Sequence, residues 1–282
     1  MPYFTLKDGT KLAYDDMGVG RPVIFLHGWS GERKSANSFG PFLPMLNAKG
    51  GYRAIAYDQR GSGDTTDSVT RPVEVDMLSE DLRELLVGLD LKGATILGHS
   101  MGSQVLLHYI DKYGCDEYTR AIICVDQSPC IIKKDNWDLG MYRGAYTLEE
   151  GLAEYEKMRS DWLGYYVPFM KAALPEMNSW PQEQVDAVIA QANSLFHTDE
   201  TVELFPSLHY LDNRAALKKV TVPLGYFYAD PGGLYKPELS DFYGSNVAGE
   251  YRAYPFAGDS HGFFVERPQE FFEKLIDFLE AT

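Results

Sequence analysis

The sequence predicts an α/β protein: a mostly parallel central sheet flanked by helices and interrupted by one helical insertion. Three observations carry this. Short continuous apolar runs alternate with longer amphipathic ones, a Gly-x-Ser-x-Gly turn stands between a run of each kind, and the alternation stops over 131–214 before resuming.

In chain order, Lys7-Asp8-Gly9-Thr10 is a turn between two short alternating strands. The run 22–28 (PVIFLHG) is a strand, 39–48 a helix, and 52–59 (YRAIAYDQ) a second strand of the same kind. Val75, Leu78, Leu82, Leu85, Leu86 and Leu89 recur at helical spacing within 73–89. Then come the strand 93–100 (GATILGHS), a helix from Ser103 to about Tyr113, and the strand 121–126 (AIICVD). Strands without polar alternation are buried on both faces, which implies a parallel sheet with helices on each side. The theme returns in 222–230 (VPLGYFYAD), 251–256 (YRAYPF) and a closing helix from Pro268 to about Leu279, with proline in its first turn.

This division predicts a core made of 1–130 and 215–282, with 131–214 as an inserted helical cap. The insertion is rich in aromatic residues and methionine, among them Trp137, Tyr146, Trp162, Tyr165, Phe169 and Met141. Most of these are expected to pack a small core of the insertion's own, and a few to face a pocket.

Composition narrows the class of function. Forty-one acidic against twenty-six basic residues give a net charge of −15, so a polyanion is repelled and nucleic acid is not an expected partner. No apolar run approaches the roughly 20 residues that span a bilayer, and no secretory signal pattern opens the chain, so a cytoplasmic protein without membrane contact is expected. Cys115, Cys124 and Cys130 are odd in number and lack metal spacing, and the six histidines form no HExxH pattern; no metal and no cofactor are expected.

Gly98-His99-Ser100-Met101-Gly102 closes a predicted strand and opens a predicted helix. In that context the turn holds its serine in a strained conformation that requires small residues on both flanks, which marks Ser100 as a nucleophile; His99 and Ser103 are read as structural. With PVIFLHGW at 22–29, DQRGSGDT at 58–65 and DSHGFFVERPQEF at 259–271, the elbow completes four landmarks, in order, of a chain that resembles the α/β-hydrolase fold family over nearly its whole length.

The resemblance implies a serine hydrolase. His261 is the base that activates Ser100 and then the acid that protonates the leaving group. The backbone N–H groups of Trp29 and Met101 form the oxyanion hole, which leaves the Trp29 indole to wall an acyl pocket. His27 and Asp58 take structural roles. For the orienting carboxylate, the family's usual position after the penultimate strand falls on Gly232. Two candidates remain: Asp126, at the end of the strand that follows the nucleophile helix, which is preferred, and Asp230.

A serine rather than an aspartate nucleophile argues against dehalogenase and epoxide hydrolase chemistry. The expected substrate is a small to medium apolar or aromatic carboxylic ester or lactone, cleaved through an acyl-serine. Rival readings are a C–C bond hydrolase, a cofactor-free perhydrolase or haloperoxidase, and a ligand sensor of low turnover, because fold does not fix substrate. An exposed aromatic cap would also allow a homodimer.

Overall fold

The computed structural model describes residues 2–34, 38–67, 72–195 and 198–282, and the side chains of all of these but 191–195 and 198. Its first half consists of β1 (Tyr3–Thr5), β2 (Lys11–Gly18), β3 (Gly20–Leu26), α1 (Phe42–Lys49), β4 (Gly51–Tyr57), α2 (Val75–Gly88), β5 (Ala94–His99), α3 (Met101–Tyr113) and β6 (Thr119–Val125). The helices α4 (Met141–Gly144), α5 (Leu148–Ser160), α6 (Trp162–Ala173), α7 (Gln182–Leu195) and α8 (Thr198–Tyr210) follow, with a 3-10 turn at Pro175–Ser179 and another at Asn213–Lys219. The chain closes with β7 (Leu224–Pro231), α9 (Leu239–Asn246), β8 (Tyr251–Gly258), α10 (Phe263–Glu266) and α11 (Pro268–Ala281).

Among the described residues, eight strands form one sheet in the order β1-β2-β4-β3-β5-β6-β7-β8. β1 pairs antiparallel with β2 and β2 with β4; every pair from β4 to β8 is parallel. From β3 the chain moves outward to β4 and then returns to place β5 on the other side. The carboxyl ends of β3 and β5 are therefore a topological switch point, where crossovers leave in opposite directions and open a crevice. His27 to Trp29 leave β3, and Ser100 leaves β5, at this crevice.

Alternation along each strand explains why the runs are apolar throughout. In β3, Val23 and Phe25 join a core cluster with Phe42 and Leu46 of α1 and with Phe271, Leu275 and Phe278 of α11. Ile24 and Leu26 point the other way, into a cluster with Leu78, Leu82 and Leu85 of α2 and with Val105 and Leu106 of α3. Both faces are buried, so neither set can be polar. The helices meet this demand with stripes at i, i+4 and i+7, as in α11, each large apolar side chain contributing about 1.5–3 kcal/mol.

Between β6 and β7 the described residues contain helices and turns but no strand. α5 starts with a capping box in which Thr147 and Glu150 satisfy each other's backbone N–H, and Asp161 caps α6 by accepting from Gly164 N at 3.0 Å. The packing differs from the expectation of a self-contained small core. Among the described residues, only Tyr166, Met177, Val185 and Ile189 form a separate buried cluster, whereas Trp137, Met141, Tyr146, Met158 and Tyr165 are continuous with the core under α2 and α3. The Trp137 indole donates to Cys130 O at 2.7 Å and Arg143 N donates to Leu234 O at 2.8 Å, so this part of the insertion packs on the segments that follow β6 and β7.

Candidate active site

Ser100 sits at the sharp strand-to-helix turn with φ 52° and ψ −122°, a left-handed backbone that costs a non-glycine residue of order 1–3 kcal/mol. Its neighbours leave no alternative path. A Cβ on Gly98 would lie 2.3 Å from the Gly102 carbonyl carbon, and one on Gly102 would lie 2.4 Å from the Leu26 oxygen. Ser103 stitches the turn from beneath: its hydroxyl donates to Gly98 O at 2.5 Å and accepts from Val125 N at 3.2 Å, tying β5 to β6. Met101 opens α3, so its N–H belongs to the first helical turn, whose donors lack intrahelical acceptors.

Asp126 directly follows β6 and also has positive φ, 45°. Its N–H continues the ladder to Phe227 O at 2.7 Å while the side chain turns across the sheet edge. There Oδ1 accepts from Ala229 N at 3.3 Å and Oδ2 lies 2.6 Å from His261 Nδ1. A carboxylate only accepts, so Nδ1 is the donor, and in the neutral ring Nε2 keeps its lone pair. Both side chains are buried. Asp230, the other candidate, is exposed near the end of β7. Gly232 shows why the loop after β7 holds no acid at that position: its φ is 74°, and a Cβ there would come within 2.3 Å of Tyr235 O.

The loop that carries His261 is held from two sides. His261 N donates to Ala173 O at the end of α6 (2.8 Å), and the His99 ring donates from Nε2 to His261 O (3.1 Å). Burial, with the His261 ring 4.5 Å away, holds the His99 pKa well below its ordinary value, so His99 is a neutral strut. His27 is a second strut: Nε2 accepts from Gln59 N at 3.0 Å and Nδ1 donates to Gly28 O at 2.8 Å, and burial lowers its pKa as well. Asp58 binds the loop after β4 to the loop after β3, accepting from Arg33 N at 2.7 Å and Asp64 N at 2.8 Å and pairing with the Arg33 guanidinium.

Trp29 joins the sheet to the insertion. Its indole donates to Thr201 O at 2.8 Å and lies among the rings of Trp162, Tyr165, Tyr166, Phe169 and Phe205, with centroids 5.2–6.3 Å away. Such contacts add about 0.5–1.5 kcal/mol each beyond burial. Ser100, Trp29 and His261 line one cavity of about 470 Å³ beneath α6 and α7, with Phe169, Leu174 and Ile189 among its walls. Glu176 and Glu266 also border it; burial and the nearby Glu266 carboxyl push Glu176 up to about 7. Among the described residues, no group of three or more His, Cys, Asp or Glu is placed to hold a metal ion, and no helix is long and apolar enough to cross a membrane.

Thus Ser100, His261, Trp29 and Met101 meet at the crevice, Asp126 reaches His261, and Asp230 stays outside. The role of Ala173 was not legible in the sequence, because it acts through a carbonyl that every residue type possesses. Phe169 and Glu176 were equally hidden: neither spacing nor residue type separates a wall of the cavity from its neighbours.

A sheet of this topology with a serine elbow at its switch point defines the α/β-hydrolase class of enzymes. The chain has the α/β-hydrolase fold, and a family model described as "alpha/beta hydrolase fold" matches residues 21–155. The sequence is similar to a non-heme chloroperoxidase of Kitasatospora aureofaciens, at 29% identity over 285 residues and 99% of each chain. It is also similar to a bifunctional esterase/perhydrolase of Acinetobacter calcoaceticus, at 23% identity over 100% of each. An esterase from Exiguobacterium antarcticum shares the fold with a TM-score of 0.83 at 24% identity, over 99% of this chain and 98% of that one.

Proposed function

We propose that the protein is a serine esterase that hydrolyses small apolar or aromatic carboxylic esters and lactones through an acyl-serine. The observation that carries this reading is the 2.6 Å contact of His261 Nδ1 with Asp126 Oδ2, at a cavity that Ser100 and His261 both line. With Nδ1 committed to the carboxylate, Nε2 takes the Ser100 proton as Oγ attacks the substrate carbonyl carbon. Charge on the carbonyl oxygen meets the N–H groups of Trp29 and Met101, each worth roughly 3–4 kcal/mol in such sites. The intermediate collapses with cleavage of the bond to the leaving oxygen, which takes the proton from His261. Water then adds to the acyl carbon, His261 receives its proton and returns one to Ser100 Oγ, and the acid departs.

Similarity to the Acinetobacter esterase/perhydrolase favours a second activity at the same site. Hydrogen peroxide in place of water would attack the acyl-serine and release a peracid.

Initial rates on p-nitrophenyl acetate test the reading. Asp126→Asn should lower kcat by about 10⁴, as loss of the orienting acid does where geometry is retained, and Asp230→Asn should stay within about twofold of wild type. Equal losses in the two variants, or a fully active Ser100→Ala, would overturn it.

A further inference from the structure

Two cavities, unequal in size, meet at Ser100. The larger holds about 470 Å³ and is lined by His261 together with Gly262 and Val265. The smaller, about 30 Å³, is bounded by Met101, Ile131, Met141, Leu208 and Leu234, and His261 does not line it. Trp29 and Phe169 line both and stand between them. Besides Ser100, the polar side chains at the smaller cavity are those of Gln127 and Tyr235, whose hydroxyl donates to the Gln127 side-chain oxygen; the rest of the lining is apolar.

The chemistry assigns one substituent of the ester to each side. His261 must protonate the leaving oxygen, so the alcohol lies where His261 is, in the larger cavity. The carbonyl oxygen points to the backbone N–H groups of Trp29 and Met101. What remains is the acyl chain, which must enter the cavity that Met101 lines and His261 does not. A volume of about 30 Å³ accommodates only about two water-sized groups beyond the carbonyl carbon. Its walls belong to the close-packed core, where extra methylenes force strain rather than expansion.

Resting on the serine esterase reading, we infer that the enzyme is selective for short acyl groups, acetyl or propionyl, carried on bulky apolar alcohols or phenols. Leu208 and Leu234 set the acyl limit.

The test is kcat/KM for p-nitrophenyl acetate, butyrate and octanoate, and for 2-naphthyl acetate, with wild type, Leu208→Ala, Leu234→Ala and Ser100→Ala. Wild type should lose at least about tenfold from acetate to octanoate while accepting the naphthyl ester, and either leucine variant should raise the butyrate-to-acetate ratio by about tenfold. The wild-type series needs no variant, so a leucine variant that fails to fold leaves the test intact. Octanoate equal to or better than acetate, with Ser100→Ala inactive, overturns the acyl limit alone. Hydrolysis of acetate by Ser100→Ala at the wild-type rate overturns the esterase reading beneath it.

Discussion

Two histidines in this protein illustrate how burial sets a side chain's task. His261 keeps a carboxylate on one ring nitrogen and a cavity at the other, the arrangement a proton shuttle needs. His209, in α8, is buried against the Tyr146 hydroxyl (2.9 Å) and the Phe205 carbonyl (2.9 Å), close to the Glu154 carboxyl that Tyr146 also contacts. Burial pushes its pKa down to about 4. The unfolded chain protonates this residue near 6.5 and the folded protein resists protonation. Its contribution to stability is thus complete above pH 6.5 and is lost as pH falls toward 4, by about 2–3 kcal/mol. Urea titrations between pH 7 and 4 should show a shallower loss of stability in His209→Gln than in wild type; parallel curves would contradict the assignment. At this scale the sequence was informative where chemistry demands a residue type. Ser100 and His261 stand in motifs that single them out, and the structure brings both to one cavity. Asp126 was harder, since an aspartate at a strand end is common and only the contact with His261 distinguishes it from Asp230.

The elbow is where local sequence and element geometry are most tightly bound. β5 and α3 meet through Ser100 because Gly98 and Gly102 let the strand, the helix and the end of β3 approach one another without side chains between them. Gly102→Ala forces a methyl group to within 2.4 Å of the Leu26 oxygen, which belongs to the backbone and cannot swing aside. Thermal unfolding and esterase assays should show a drop in Tm of several degrees, corresponding to about 2–4 kcal/mol, with activity falling alongside. A Gly102→Ala variant with wild-type Tm and rate would refute the close approach. Strands and core helices were legible because both faces of the sheet are buried and the apolar spacing is regular. Boundaries shifted by a few residues: α3 begins at Met101 rather than Ser103, since the strained serine ends one element and starts the next. Least legible was the insertion, where, among the described residues, every aromatic side chain but that of Tyr210 is buried or half-buried and periodicity does not tell an inner core from a cavity wall.

For the molecule as a whole, the insertion holds the site as well as covering it. It grips the Trp29 indole through Thr201 O and five rings, and it holds His261 through Ala173 O, so both loops that serve Ser100 depend on its packing. The overall charge of −15 is echoed locally: Glu32, Glu176 and Glu266 line the larger cavity, and its lining includes no lysine or arginine among the described residues. Esters with an anionic leaving group should be poor substrates. At pH 8, kcat/KM for 4-carboxyphenyl acetate should be about tenfold below that for 4-carbamoylphenyl acetate. The gap should narrow at pH 6, where Glu176, held at about 7, is largely protonated. Equal rates at both pH values would show that the carboxylates do not govern entry.

Everything proposed for this site depends on Ser100 being the nucleophile of acyl transfer. Treatment with a fluorophosphonate, followed by peptide mass spectrometry, tests it most directly. One adduct per chain is expected, on Ser100, formed at a rate that falls sharply in Asp126→Asn and in step with lost esterase activity. An adduct on another residue, or an unlabelled Ser100 in protein that still turns over p-nitrophenyl acetate, would contradict it.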